Sequence, residues 1–117
     1  MLRDRLRELL ASAPEIAGVA IVGLDGIPLE MQTRGDFDAN TLAAEFADLV
    51  KGMKSRLTEA KMGTLSGMTV ETPDHRIIIE PVVPGYFLLG VVRPGGIAGR
   101  VRFLLKKVSL AIAPSLA

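Results

Sequence analysis

Residues 16–33 read Ile16-Ala17-Gly18-Val19-Ala20-Ile21-Val22-Gly23-Leu24-Asp25-Gly26-Ile27-Pro28-Leu29-Glu30-Met31-Gln32-Thr33, and this stretch decides the fold. Asp25-Gly26 separates two apolar runs, 17–24 and 27–31. A two-residue Asp-Gly loop between strand-like runs signals a hairpin, because both loop positions need φ > 0 and these residues tolerate it. That loop would set Leu24 opposite Ile27 and Gly23 opposite Pro28. At such a non-hydrogen-bonded pair the missing N–H of Pro28 points away from the first strand, so nothing pairs normally on its far side. The hairpin is expected at one end of a sheet, with residues 27–33 as the edge.

Helical spacing flanks the hairpin on both sides. Leu2, Leu6, Leu9 and Leu10 predict a short amphipathic helix over 1–12, ended before Pro14. Asp36 and Asp38 are N-cap candidates for a long helix from Ala39 to about Lys61, with Gly63 as its stop. Leu42, Phe46, Leu49, Met53 and Leu57 form one apolar stripe on it, and Ala43, Ala47 and Val50 an adjacent one. Together they are wider than a helix lying on one sheet requires.

Three strands are expected next, at 64–72, 76–83 and 86–93, joined by Pro73-Asp74-His75 and Pro84-Gly85. Ile77-Ile78-Ile79 and Phe87-Leu88-Leu89 are near-continuous apolar runs, as in interior strands covered on both faces. A last helix from about Gly95 turns Ile97, Val101, Leu104, Leu105 and Val108 inward and stops by Pro114. The order αββαβββα predicts an α/β (α+β) sandwich: a five-stranded antiparallel sheet with one helix on one face and two on the other.

Bulk properties bound the function. The 117 residues suit a single domain, 1–117, with 49% hydrophobic and only 4% aromatic residues, which excludes a disordered chain. The absence of cysteine removes disulfides, thiol nucleophiles and thiolate metal sites, and fits a cytoplasmic protein. The N-terminus mixes Arg with Asp and Glu and has no signal-peptide pattern. The longest apolar region, 77–92, contains Glu80, two prolines and two glycines and is no spanning helix, so no membrane insertion is expected.

Net charge is +1 but unevenly spread. Residues 15–48 hold seven acids against Arg34 alone, whereas five bases and no acid follow Glu80. Without interleaved aromatics this pattern reads as solvated faces and helix ends, and no nucleic-acid partner is expected.

The two ends of the sheet differ. Pro28 and Glu30 blunt the hairpin edge, whereas Thr64-Leu65-Ser66-Gly67-Met68-Thr69-Val70 has neither Pro nor charge before Glu71. Free backbone groups there invite a second copy, continuing the sheet across a two-fold homodimer. The expected interface is Leu65, Met68, Thr69 and Val70 of that strand with Ala43, Ala47 and Val50 of the long helix.

Candidates for catalysis are thin. His75, the only histidine, lies in a polar turn without further ligands and reads as an exposed turn residue. Pro94-Gly95-Gly96-Ile97-Ala98-Gly99-Arg100 could hold an anion on its backbone N–H groups, but it lacks a phosphate-loop ending and reads better as close strand-to-helix packing. Asp36 and Asp38 are better explained by capping than by acid–base chemistry. No catalytic residue, cofactor or metal is assigned; the chain reads as non-enzymatic.

The assembled pattern resembles the Roadblock/dynein-light-chain superfamily, and within it the bacterial MglB-like regulators of Ras-like small GTPases. The resemblance rests on 16–22 leading to Asp25-Gly26-Ile27-Pro28-Leu29, on Leu42-Ala43-Ala44-Glu45, on the Gly-Tyr-containing strand within 82–91, and on Ile97-Ala98-Gly99-Arg100-Val101-Arg102. It implies a homodimer or heterodimer in which the third strands pair and the second helices lie together. It also implies a function: those helices form a platform for a Ras-like GTPase, here Glu45, Asp48, Leu49, Gly52, Met53 and Arg56. The runner-up is a structural adaptor subunit that pairs with another Roadblock chain or scaffolds a larger complex.

Overall fold

The computed structural model describes residues 1–95 and 98–117, Ala98 by its backbone alone. In chain order the elements are α1 (Leu2–Ser12), β1 (Ile16–Gly23), β2 (Pro28–Thr33), α2 (Ala39–Glu59), β3 (Met68–Glu71), β4 (Arg76–Val83), β5 (Tyr86–Val92) and α3 (Ala98–Leu116). The strands form one antiparallel sheet in the order β2-β1-β5-β4-β3. The hairpin edge and the third strand are thus its two ends.

Each face of the sheet has its own core. On one side Leu6, Leu9 and Leu10 of α1 and Val101, Leu105 and Ile112 of α3 pack on Val19, Ile21, Ile78, Leu88 and Val92. On the other side α2 alone lays Ala43, Ala47 and Val50 on Ala20, Val22, Ile79, Phe87, Leu89 and Val91. Alternate residues of each interior strand serve opposite cores, which is why their sequences lack polar alternation. No helix among the described residues is long and apolar enough to cross a membrane.

The hairpin closes differently from its sequence reading. Gly26 N–H donates to Gly23 C=O at 2.9 Å and Gly23 N–H to Ile27 C=O at 3.2 Å, so the loop is Leu24-Asp25-Gly26. Only Gly26 takes positive φ, at 87°. Asp25 instead accepts from the N–H of Ile27 at 3.0 Å through its side chain. This is the three-residue loop in which glycine follows the turn. The longer loop moves Pro28 opposite Val22 rather than Gly23, and a bulge follows before Ile21 meets Glu30.

Three further boundaries shift. The third strand is four residues, not nine: 64–67 stay outside the ladder, where Ser66 and Gly67 offer little to pack. The stop of α2 is not Gly63. Lys61 takes the left-handed conformation (φ 57°), with Lys61 N–H on Thr58 C=O and Met62 N–H on Leu57 C=O, which satisfies two end carbonyls. Finally, α3 runs through Pro114 to Leu116, because a proline in the last turn forfeits one backbone bond without ending the helix.

Candidate functional site

The candidate site is the outward side of α2, and its start is set by a cap. Asp38 accepts from Thr41 N–H at 3.0 Å, and the Thr41 hydroxyl donates to its second carboxylate oxygen at 2.6 Å. These bonds hold the Asp38 carboxyl below its usual range. Asp36 is exposed beside it. Behind the helix the hairpin loop makes close contact: a Cβ on Gly26 would stand 3.3 Å from Cα of Ala44.

Small residues let α2 lie close to the sheet. Ala43 and Ala47 are 1% exposed and Val50 fully buried, so the sequence expectation that these three serve a partner is corrected. Their side chains are already committed to the domain's own core. Leu42 and Phe46 lean against that core and are partly buried. Leu49 is 43% exposed, an uncovered apolar side chain halfway along the helix.

Around Leu49 the structure gathers a shallow depression of about 680 Å³ lined by Asp48, Leu49, Lys51, Gly52, Met53 and Arg56. Five of the six platform residues meet there; Glu45 lies one turn earlier, exposed on the same helix. Glycine inside a helix costs about 1 kcal/mol relative to alanine, and here it has a local use. The Arg56 guanidinium donates to Gly52 C=O at 3.0 Å, in space a Cβ would enter at 2.8 Å. The surface is an apolar centre with acids on its N-terminal side and bases on its C-terminal side, suited to binding rather than bond breaking.

The second candidate surface is the edge at β3. Met68, Thr69, Val70 and Glu71 pair with Ile79, Ile78, Ile77 and Arg76 on one side only. Met68 and Leu65 lean against the α2-side core, while Thr69, on the opposite face, accepts from Arg102 at 2.9 Å. Beneath Thr69 lies a cavity of about 420 Å³ lined by Ser66, Gly67, Met68, Thr69, Ile79, Glu80, Arg102 and Lys106. Glu80 is only 6% exposed, and burial pushes its carboxyl above the usual range against the pull of Lys106 and Arg102.

Several charged residues have work that sequence reading missed. Arg34 donates to Ile16 C=O at 3.0 Å and Ala13 C=O at 2.6 Å. Arg93 donates to Pro14 C=O, and Arg100 to Glu15 at 2.6 Å and Ser12 C=O at 2.9 Å. These arginines tie the α1–β1 link to the ends of β2 and β5 and to α3, and the Arg100 hydrogen bond holds the Glu15 carboxyl below its usual range. His75 sits in its turn, its N–H donating to the Thr72 hydroxyl, with its ring 6.4 Å from that of Phe37. The glycine-rich turn lies partly outside the described residues, with Gly96 and Ile97. Among the described residues no group of acids and histidines is placed to hold a metal.

Against this geometry the comparisons are consistent. The family model of the Roadblock/LC7 domain matches residues 2–93. Among solved structures, Myxococcus xanthus MglB superposes with a TM-score of 0.89 at 17% identity, covering 98% of this chain and 94% of that one. A Roadblock/LC7 domain from Streptomyces avermitilis gives 0.88 at 15% identity, covering 97% and 96%. The gliding protein MglB of Thermus thermophilus gives 0.84 at 14% identity, covering 97% and 86%. No curated protein matches in sequence.

Proposed function

Because the chain belongs to the Roadblock/LC7 family, we propose that it is a non-enzymatic, homodimeric regulator and binding platform for a Ras-like small GTPase. The observation that carries this reading is the depression around Leu49: an uncovered apolar centre with charged flanks on the helix that stands alone on its face. The likeness of fold to MglB supports it. The protein would act by holding or reshaping the GTPase's own switch residues.

The homodimer joins through the free edge of β3, with Leu65, Met68, Thr69 and Val70 at the seam. Charge order along α2 suits the same two-fold. Glu45 and Asp48 precede Leu49, and Lys51 and Arg56 follow it. Two such helices side by side and antiparallel bring the acidic half of each beside the basic half of the other.

The experiment is capture of a Ras-like small GTPase on the immobilised protein in GTP- and GDP-bound forms, followed by hydrolysis rates. Nucleotide-dependent capture that weakens about tenfold or more in an Asp48→Arg/Arg56→Glu double variant supports the reading. Capture indifferent to nucleotide and to those charges points to an adaptor subunit instead.

A further inference from the structure

The surface the GTPase reading leaves unused is the outward side of α3. Val101, Leu105, Ser109 and Ile112 face the core, which turns Phe103, Lys106, Lys107 and Leu110 out together. Phe103 is 67% exposed and Leu110 72%. Isolated exposed apolar residues are ordinary, but these two lie seven residues apart on one helical stripe with lysines between them. Residues 98–117 contain no acid. Arg102 stands beside the stripe, and α1 adds exposed Arg5 and Arg7 against Asp4 and Glu8. The acids concentrated in residues 15–48 have no counterpart on this helix.

We infer that this face of α3 adsorbs peripherally to an anionic phospholipid bilayer. Phe103 and Leu110 enter the headgroup layer, while Lys107 and, from the flank, Lys106 meet lipid phosphates; Arg102 stays on the Thr69 hydroxyl at the side of the helix. Charge complementarity selects the lipid: a cationic helix face with protruding apolar side chains is the chemistry of interfacial helices. Shape favours a bilayer over an acidic protein. At 67% and 72% exposure Phe103 and Leu110 project from the helix, whereas Lys106 borders the cavity beneath β3. A lone aromatic offers poor stacking for nucleic acid. This inference stands without the GTPase reading. It places α2 on the side of the sheet away from the membrane, still open to a partner.

The test is flotation of the full chain with vesicles of phosphatidylcholine alone or with about one-third phosphatidylglycerol. Binding is expected to the anionic vesicles only, and to be lost between about 0.1 M and 0.5 M salt. Lys106→Glu/Lys107→Glu should weaken it by at least about tenfold, and Phe103→Ser by about tenfold. Phe103→Trp adds the sole tryptophan of the chain and should shift its emission to the blue on anionic vesicles. Since Phe103 is exposed, the melting curves of its variants should stay near wild type, and because Lys106 faces Glu80 its reversal is read beside a Lys107→Glu single variant. Failure of the folded wild type to float, equal binding to neutral vesicles, or a Phe103→Ser variant that binds like wild type would overturn the inference. So would retention on an acidic polypeptide column without vesicle binding, which would reassign the face to an acidic protein.

Discussion

The two edge strands of this sheet are built to opposite specifications. At β2, Pro28 interrupts the ladder, a bulge follows, and Glu30 lies 3.7 Å from Arg3 of α1. Apolar side chains are present there, Ile27 at 66% and Leu29 at 46% exposure, yet the backbone beside them is irregular. At β3 the backbone is regular and Met68, Thr69 and Val70 are uncharged, but the strand is only four residues long. Edge pairing depends on a regular row of free N–H and C=O groups more than on apolar side chains. By that criterion the shorter, plainer strand is the edge through which the proposed homodimer would pair.

The largest expected effect separates the edges directly. Val70→Lys should abolish self-association at micromolar concentration, while Leu29→Lys should leave the molar mass of wild type unchanged; sedimentation of the two variants checks it. Equal behaviour of the two would erase the distinction.

Next comes the hairpin that holds the β2 edge in place. Gly26→Val meets both the left-handed φ and the α2 backbone at Ala44, and should cost about 2–4 kcal/mol in urea unfolding. Gly63, also at positive φ but with nothing within 4 Å of an added Cβ, marks the contrast. Gly63→Ala should cost only about 1 kcal/mol.

Beneath β3, Glu80 supplies a pH-dependent term. Its folded carboxyl holds a proton above the ordinary value of 4.5, so the native state binds it more tightly than the unfolded chain does. That contribution to stability is present at low pH and lost as the pH rises from about 4.5 through the raised folded value. Glu80→Gln should therefore raise the melting temperature at neutral pH and flatten this part of the profile. A variant that melts lower at neutral pH would show that Glu80 makes a favourable ion pair in solution. The smallest effect is at the end of α2: Lys61→Gly relieves a left-handed lysine and should stabilise by about 0.5–1 kcal/mol in the same unfolding assay.

The element order and both sheet ends were legible in the sequence, because hydrophobic period and turn residues act locally. The register of the hairpin was not. Asp-Gly suits both a two-residue and a three-residue loop, and the choice rests on the Asp25 side chain meeting the Ile27 N–H. For α2, spacing revealed two apolar stripes without saying which one met the sheet. The small residues Ala43 and Ala47 did, because they allow the closest approach, and Leu49 was left uncovered. The arginines around 12–16 and buried Glu80 answer to groups distant in the chain, up to 88 residues away for Arg100 and Ser12, and no local pattern announces them.

The proposed platform depends on whether the β3 edge joins two copies. Sedimentation equilibrium of the unmodified chain at about ten micromolar measures this directly, within the range where specific interfaces associate. The result predicted is a particle of twice the 12.5 kDa chain mass, with backbone amides of β3 protected from hydrogen exchange. A 12.5 kDa particle whose outward β3 amides, those not facing β4, exchange freely would contradict it.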